Sequence, residues 1–490
     1  MNRRFLAGIA TLLTMAGCTS SSGPRPQPSG SAGPGPDRPN IVLVLTDDLA
    51  MNLLGYLPQV TAMREAGTTF ANYTVTDSLC CPSRASMLTG KFPHNTGIFT
   101  NGGDDGGYPE FHRRGLERST FATDLQKAGY RTALLGKYLN RYPPRAGVVP
   151  PGWSEWYVAG NGYAQYDYDL LENGQVKHYG STSADYLTDV ISAKAQTFIT
   201  AAAAARTPFL VELATFAPHR PYTPALRDRN SFPDVTAPRS PAFDTLPTDP
   251  PAWLATRTPL TAAEQRDLDV VFRRRVQSVQ SVDRMLGALR DTLTRTGVAG
   301  NTVVVFTSDN GYHLGEHRLR PGKQTAFDTD IHVPLVVTGP GVRAGATVAR
   351  PAENIDLRPT FADLAGVPVP GDVDGTSLVP LLRGAAVKNW RGTALVEHHG
   401  PDLDRADPDY APTASGNPAT YAALRTPRYT YVEYRNGFRE YYDNLRDPHQ
   451  LHNIADRLPR TTVDRLHRQV LAMTSCRGAA VCQARARGGS

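Results

Sequence analysis

Four apolar runs in this chain stop on side chains able to do chemistry. Pro39 to Thr46 runs into Asp47-Asp48, Tyr130 to Leu135 into Gly136-Lys137, Pro208 to Leu213 toward Ala217-Pro218-His219, and Val303 to Thr307 into Ser308-Asp309-Asn310-Gly311. A strand wetted on one face alternates apolar and polar residues, whereas one covered on both faces of a parallel sheet reads as a nearly continuous apolar run. Helical stretches separate the runs. The clearest opens on the capping box Thr261-x-x-Glu264, carries Leu268, Val271, Phe272, Val276, Val279, Val282, Leu286 and Leu289 on one stripe, and stops at Gly297. Strands alternating with helices predict an α/β fold with a doubly wound, mostly parallel sheet. In such sheets ligands bind outside the carboxyl ends of the strands, so these polar termini should converge although they are more than 250 residues apart.

Charged residues often end strands simply because loops are solvated. Two separate strands ending in paired oxygen donors, Asp47-Asp48 and Asp309-Asn310, point instead to a metal site. An all-oxygen set suits a hard cation, calcium or magnesium, and argues against zinc, which favours Cys and His; calcium better tolerates irregular geometry from ligands on different loops.

The segment Ser78-Leu79-Cys80-Cys81-Pro82-Ser83-Arg84-Ala85-Ser86-Met87-Leu88-Thr89-Gly90 suggests the nucleophile. Pro82 suits an early helical position and Gly90 a stop, which puts the cysteines at a helix N-terminus, where free N–H groups and the dipole favour anions. Taken alone, the pair allows either a buried inert thiol or a reactive one.

This segment resembles the sulfatase signature, in which the first Cys of Cys-x-Pro-x-Arg, here Cys80, is oxidised to formylglycine. The likeness runs from about Pro39 into the C-terminal region and is nearest to the N-acetylglucosamine-6-sulfatase branch. It is carried also by Pro93-His94-Asn95, Gly136-Lys137-Tyr138-Leu139-Asn140, Ala217-Pro218-His219, Thr307-Ser308-Asp309-Asn310-Gly311-Tyr312-His313-Leu314-Gly315-Glu316-His317, Lys323, Val333-Pro334-Leu335 and Gly339-Pro340-Gly341. The resemblance implies an alkaline-phosphatase-like fold and hydrolysis of sulfate esters, of sulfated sugars or aryl sulfates. It implies that Asp47, Asp48, Asp309, Asn310 and the modified Cys80 bind a divalent cation, that Arg84 and Lys137 hold the hydrated aldehyde, and that His219 and Lys323 bind sulfate oxygens and protonate the leaving group. One geminal hydroxyl attacks sulfur and the other then expels sulfate, so that no water attacks sulfur. A formylglycine-generating enzyme is an implied maturation partner. Two residues after Lys137, where many arylsulfatases carry a His, stands Leu139; His313, His317 and His94 are, in that order, the candidates to assist the second step, with Tyr312-His313 alternatively facing substrate or packing. Alternative readings are a phosphonate monoester or phosphodiester hydrolase on the same scaffold, and a non-catalytic sulfoglycan-binding surface protein that keeps Cys80 as a thiol.

The N-terminus reads as export. Asn2-Arg3-Arg4 is a basic n-region, Phe5 to Met15 an apolar stretch too short for a span, and Met15-Ala16-Gly17-Cys18 resembles a bacterial lipobox with Cys18 as the lipidated residue. Arg3-Arg4-Phe5-Leu6 also faintly resembles a twin-arginine signal. Residues 19–37 hold 14 Ser, Gly or Pro, a composition suited to a tether. The expected organisation is a signal segment 1–17, a tether 18–37, a catalytic domain 38–385, a small C-terminal subdomain 386–475 built on an antiparallel sheet (strands at 393–397, 421–425 and 430–434), and a tail 476–490 with a frayed end. Cys476 and Cys482 are close enough in sequence for a small disulfide loop in an oxidising compartment. The net charge of +6 is small and dispersed, which argues against a nucleic-acid partner, and membrane contact is expected only through the lipid anchor.

Overall fold

The computed structural model describes residues 38–489 apart from 406, 411 and 412. The expected signal segment, tether and Cys18 lie outside the described residues. From Arg38 onward the chain forms one compact unit. Its frame is a ten-stranded sheet made of β1 (Asn40–Thr46), β2 (Thr68–Phe70), β4 (Arg131–Lys137), β5 (Glu155–Ala159), β6 (Tyr168–Glu172), β7 (Gln175–Tyr179), β8 (Phe209–Ala214), β9 (Thr302–Ser308), β10 (Leu335–Thr338) and β11 (Ala346–Val348), in the order β11-β2-β10-β9-β1-β8-β4-β5-β6-β7. The five central strands β9-β1-β8-β4-β5 are parallel, and antiparallel pairing enters at β10 on one side and at β6 and β7 on the other. A short pair, β3 (Tyr73–Thr74) with β12 (Ala352–Glu353), lies apart.

Strand β1 shows why its sequence does not alternate. Ile41, Leu43 and Leu45 pack on one face of the sheet with Phe121 and Phe361, while Val42 and Val44 pack on the other with Phe272, Val276 and Val279. Both faces are dry, so both sets of side chains are apolar. The second face is covered by the long helix Ala262–Arg295, whose capping box joins Thr261 and Glu264 as the sequence predicts.

The C-terminal sheet is antiparallel and has four strands, β13 (Ala394–His398), β14 (Tyr421–Arg425), β15 (Tyr429–Tyr434) and β16 (Arg439–Asp443), with the helix Arg460–Met473 packed through Leu466, Val470 and Met473 against Leu395, Leu424 and Tyr431. The sequence reading names three of these strands and misses β16, which alternates half-buried and buried positions across the Asn436-Gly437 turn. The chain end also differs from a frayed tail. Cys476 and Cys482 are joined by a disulfide, Ala479–Arg485 is helical, and the carbonyl of buried Ala486 accepts from Gly392 N at 3.0 Å. No helix among the described residues is long and apolar enough to cross a membrane.

Candidate active site

The four strands whose C-terminal ends carry polar residues are consecutive in the sheet, β9-β1-β8-β4, so register alone gathers those ends. Thr46 is level with Ser308, and the chain crosses between the strands immediately above them: Asp309 N donates to Thr46 O at 3.1 Å, Asp48 N to Asp309 Oδ1 at 3.1 Å and Leu49 N to Ser308 Oγ at 2.9 Å. Asp48 takes a left-handed conformation (φ 65°), one that Asp tolerates better than bulkier residues.

The helix Cys80–Thr89 is buried along its whole length and begins at Cys80. It ends at Gly90 (φ 68°), where a Cβ would come within 2.9 Å of Val373 Cγ1, so both conformation and space call for glycine. At its N-terminus Cys81 N donates to Asn101 Oδ1 at 3.0 Å. Cys80 Sγ donates to Asp47 Oδ1 at 3.2 Å and accepts from Lys323 Nζ at 2.8 Å. One turn on, Arg84 donates from Nε to Asp309 Oδ2 at 2.8 Å and from NH1 to Lys137 O at 3.0 Å, while its buried NH2 has no partner among the described residues.

Charges alternate throughout the crevice. Lys137 Nζ lies 2.7 Å from Asp47 Oδ2 and 5.1 Å from the Tyr163 ring centre, and Lys323 Nζ lies 2.7 Å from Asp48 Oδ1 and 3.0 Å from Asp409 Oδ1. Burial opposes both ammonium charges, but the carboxylates outweigh it and hold both lysines well above their ordinary range. His219 Nδ1–H donates to Arg220 O at 2.6 Å and Nε2–H to Asp409; because both partners are acceptors, the ring carries two protons. Burial works against that charge, and Asp409, Asp48 and Asp47 overcome it, raising the His219 pKa. The Cys80 thiol is pushed well up by burial and by Asp309, Asp409 and Asp47, against the pull of Lys137. As a thiol it therefore keeps its proton near neutrality and is a poor nucleophile.

The ligand atoms of Asp47, Asp48, Cys80 and His219 all lie within 4.8 Å of one another. Asn310 Oδ1 is buried with no partner among the described residues, while Asn310 Nδ2 donates to Asp48 Oδ1 at 2.7 Å. A buried, unspent oxygen beside two carboxylates is a donor set suited to a hard cation. Asp309 is more fully engaged, accepting from Asp48 N, Asn310 N and Arg84.

Two of the three expected helper histidines, His313 and His94, have both ring nitrogens bonded to protein groups. His313 is buried, with Nδ1 on Asp330 at 2.9 Å and Nε2 on Ser415 O at 3.0 Å, so both nitrogens donate and neither can take a proton. His94 has Nδ1 on Glu397 at 2.7 Å and Nε2 on Cys476 O at 2.8 Å, fastening the helix end to the C-terminal region. His317 stacks on Phe327 at 3.8 Å, lines a cleft of about 290 Å³ with Tyr312 and Glu316, and has a buried Nδ1 with no partner among the described residues; burial, with His313 and His449, drops its pKa to about 3. Tyr312 is packing: it bonds Tyr222 at 2.7 Å and lies under Arg275 at 4.1 Å. Leu139 is part of the hydrophobic core.

Two residues of the site escape the sequence reading. Arg275, buried in the long helix, donates to the carbonyls of Asp48 and Pro218; its signal is a charge on the stripe Phe272, Val276, Val279. Asp409 comes from the connection between β13 and β14, 190 residues from His219, with no periodicity to mark it.

Residues 39–367 match the sulfatase family, and residues 315–475 match the family described as N-sulphoglucosamine sulphohydrolase, C-terminal. The N-acetylglucosamine-6-sulfatase of Homo sapiens is 36% identical over 95% of this chain and 88% of its own length, and the arylsulfatase of Volvox carteri is 31% identical over 90% and 75%. Among solved structures, one determined in complex with its substrate D-glucosamine-2-N,6-O-disulfate superposes with a TM-score of 0.73 at 24% identity, covering 89% of this chain and 96% of that one. The phosphonate monoester hydrolase of Agrobacterium radiobacter gives 0.68 at 21%, covering 89% and 95%. The architecture is the alkaline-phosphatase-like one, and with a family match over most of its length the chain belongs to the sulfatases, a family of sulfuric ester hydrolases.

Proposed function

We propose that this chain hydrolyses sulfate esters of amino sugars, 6-O-sulfated N-acetylglucosamine first among them, and turns over simple aryl sulfates, using a formylglycine made from Cys80 by a formylglycine-generating enzyme. The observation that carries this reading is Cys80 at the start of a buried helix, its Sγ against Lys323 and Asp47 where four strand ends meet. The relatives named for N-acetylglucosamine-6-sulfate esters, and the substrate of the solved complex, support the sugar and the 6-position.

Asp47, Asp48, Asp309, Asn310 and residue 80 would hold a divalent cation, calcium in preference to magnesium, which when bound supplies Lewis-acid polarisation of the sulfate ester. A hydrated aldehyde at residue 80 would supply one hydroxyl as the nucleophile toward sulfur and a second whose proton loss and return to the aldehyde would release sulfate. The chain's own groups do the rest. Arg84 fixes Asp309 through Nε and leaves NH2 for an anionic partner, and Lys137 neutralises Asp47 from its seat on Tyr163. His219 keeps a proton on Nε2 because the surrounding carboxylates favour the imidazolium, which suits it to protonate the departing alcohol; Lys323 Nζ is a fixed cation for charge developing on sulfate oxygens. The same reading makes the protein exported and lipid-anchored through Cys18, with the Cys476–Cys482 disulfide fitting an oxidising compartment.

The test is turnover of sulfate, phosphonate and phosphodiester esters sharing one leaving group, followed by 6-O-sulfo-N-acetylglucosamine. A preference for sulfate of at least about tenfold in kcat/KM supports the reading. The reverse preference would make the chain a phosphonate or phosphodiester hydrolase on this fold, the reading that the phosphonate monoester hydrolase neighbour favours. Binding of sulfated sugar without turnover, with Cys80 unmodified, would make it a binding protein.

A further inference from the structure

Asp47, Asp48 and Asp309 reach the crevice from strand ends of the large sheet, but Asp409 comes from the connection between β13 and β14. Its carboxylate is only 2% exposed and meets four donors. Oδ1 accepts from His219 Nε2 and from Lys323 Nζ at 3.0 Å; Oδ2 accepts from Asn101 Nδ2 at 2.9 Å and Asn140 Nδ2 at 3.1 Å. Four converging N–H donors, two of them cationic, make an oxyanion site in the chemical sense. Two of the four are groups that the proposed function sets against the sulfate ester, Lys323 at its sulfate oxygens and His219 at the departing oxygen, so a carboxylate and a bound sulfate ester compete for the same donors, and two like charges held that close in a buried site repel.

The segment bearing Asp409 is fastened at the rim by weaker ties. The Arg220 guanidinium donates to Pro408 O and Tyr410 O, and Arg141 pairs with Asp404 where both side chains are 40% exposed, so that solvent screens the pair. His399 stacks on Phe99 at 3.6 Å and bonds Asp105 at 2.6 Å. The buried attachments are the Asp409 carboxylate and Asp407, whose Oδ1 accepts from Asn101 Nδ2 at 3.4 Å and from Asp409 N at 2.8 Å; a ligand that takes the donors of Asp409 removes the stronger of the two, the one held by cationic groups.

We propose that Asp409 is an internal anion that occupies His219 and Lys323 when no sulfate group is bound, gives up that place to the sulfate of the substrate, and takes it back as free sulfate leaves. Residues 407–410 then move outward on binding, and the return of Asp409 limits product inhibition. The inference rests on the sulfatase reading for the identity of the competing anion.

The experiment is calorimetric binding of inorganic sulfate to the calcium-loaded full chain, beside inhibition by sulfate of turnover on an aryl sulfate. Asp409→Asn keeps the shape and removes the charge, and is expected to bind sulfate at least about tenfold more tightly, with the inhibition constant falling in parallel. Arg220→Ala loosens the segment by removing the guanidinium that holds Pro408 and Tyr410, while keeping the backbone carbonyl that accepts from His219, and is expected to shift both in the same direction by a smaller factor; it carries the test alone if Asp409→Asn fails to fold. Sulfate affinity unchanged or weakened in the folded variants overturns the proposal. A wild type inert toward sulfate esters, with variants that still bind sulfate more tightly, would instead overturn the sulfatase reading and leave the internal anion standing.

Discussion

Two fully buried arginines, Arg358 and Arg84, put the same side chain to opposite uses. Arg358 donates to Asp124 from Nε and NH2, to Thr89 O and Ser119 O from NH1, and to Ser119 Oγ from NH2, at 2.7 to 3.2 Å, which engages all five N–H groups within the fold. Arg84 donates to Asp309 and to Lys137 O and has a buried NH2 with no partner among the described residues. A saturated buried charge is a clamp; an unsaturated one, set among carboxylates and a thiol, is held ready for an anion it does not yet touch. Asn310 Oδ1 teaches the same lesson from the acceptor side.

Removing the reacting group should give the largest effect on activity. Cys80→Ala is expected to lower kcat by at least about 10⁴-fold while the thermal midpoint stays close to wild type, read by aryl sulfate turnover and calorimetry on one preparation. Arg84→Ala comes next, with turnover down about 10²- to 10³-fold, and the uncompensated Asp309 should also cost stability. Arg358→Ala should reverse that balance. The loss is about 3–5 kcal/mol in unfolding free energy, because Asp124 and two carbonyls lose their donors, with kcat per folded molecule unchanged. An Arg358→Ala enzyme that keeps its stability and loses its activity would break the distinction between the two arginines. Reducing the Cys476–Cys482 disulfide frees a short loop in the unfolded chain and should cost about 2 kcal/mol of stability, visible as a lower midpoint in reductant with activity retained below it.

The smallest effect sharpens the case of His94. Burial disfavours its charge, yet the Glu397 carboxylate and the Cys476 carbonyl prevail and raise its pKa above the ordinary 6.5. A raised folded-state pKa gives stability that is fully present below pH 6.5 and is lost as the pH climbs through the higher folded value. His94→Gln should therefore flatten the slope of stability against pH above about 6.5 and leave turnover intact. A large loss of kcat would return His94 to the chemistry.

Much of this was readable from residues. The frame of the site was, because β1, β4, β8 and β9 are covered on both faces and write that fact as continuous apolar runs, and because strand ends in a parallel sheet must gather at one edge. The helix of Cys80 was marked at both ends by Pro82 and Gly90. The sequence does not sort the helper histidines, because a histidine next to a motif looks alike whether its partner is a substrate or, as for His313, a buried Asp330 seventeen positions away. Asp409 was invisible for a related reason: its partners lie far along the chain, in a stretch with neither helical nor strand periodicity, so its position is decided by tertiary contacts alone. Strand β16 was overlooked because five residues with two tyrosines and three charges carry too little apolar signal.

The account turns on the chemical state of residue 80, and mass spectrometry of the tryptic peptide Glu65–Arg84 from the protein made in a host with formylglycine-generating activity reads it directly. A peptide about 18 Da lighter than its thiol form, with the change mapped to position 80 and activity rising with its fraction, is the predicted result. An unmodified thiol at position 80 in fully active protein would contradict the account.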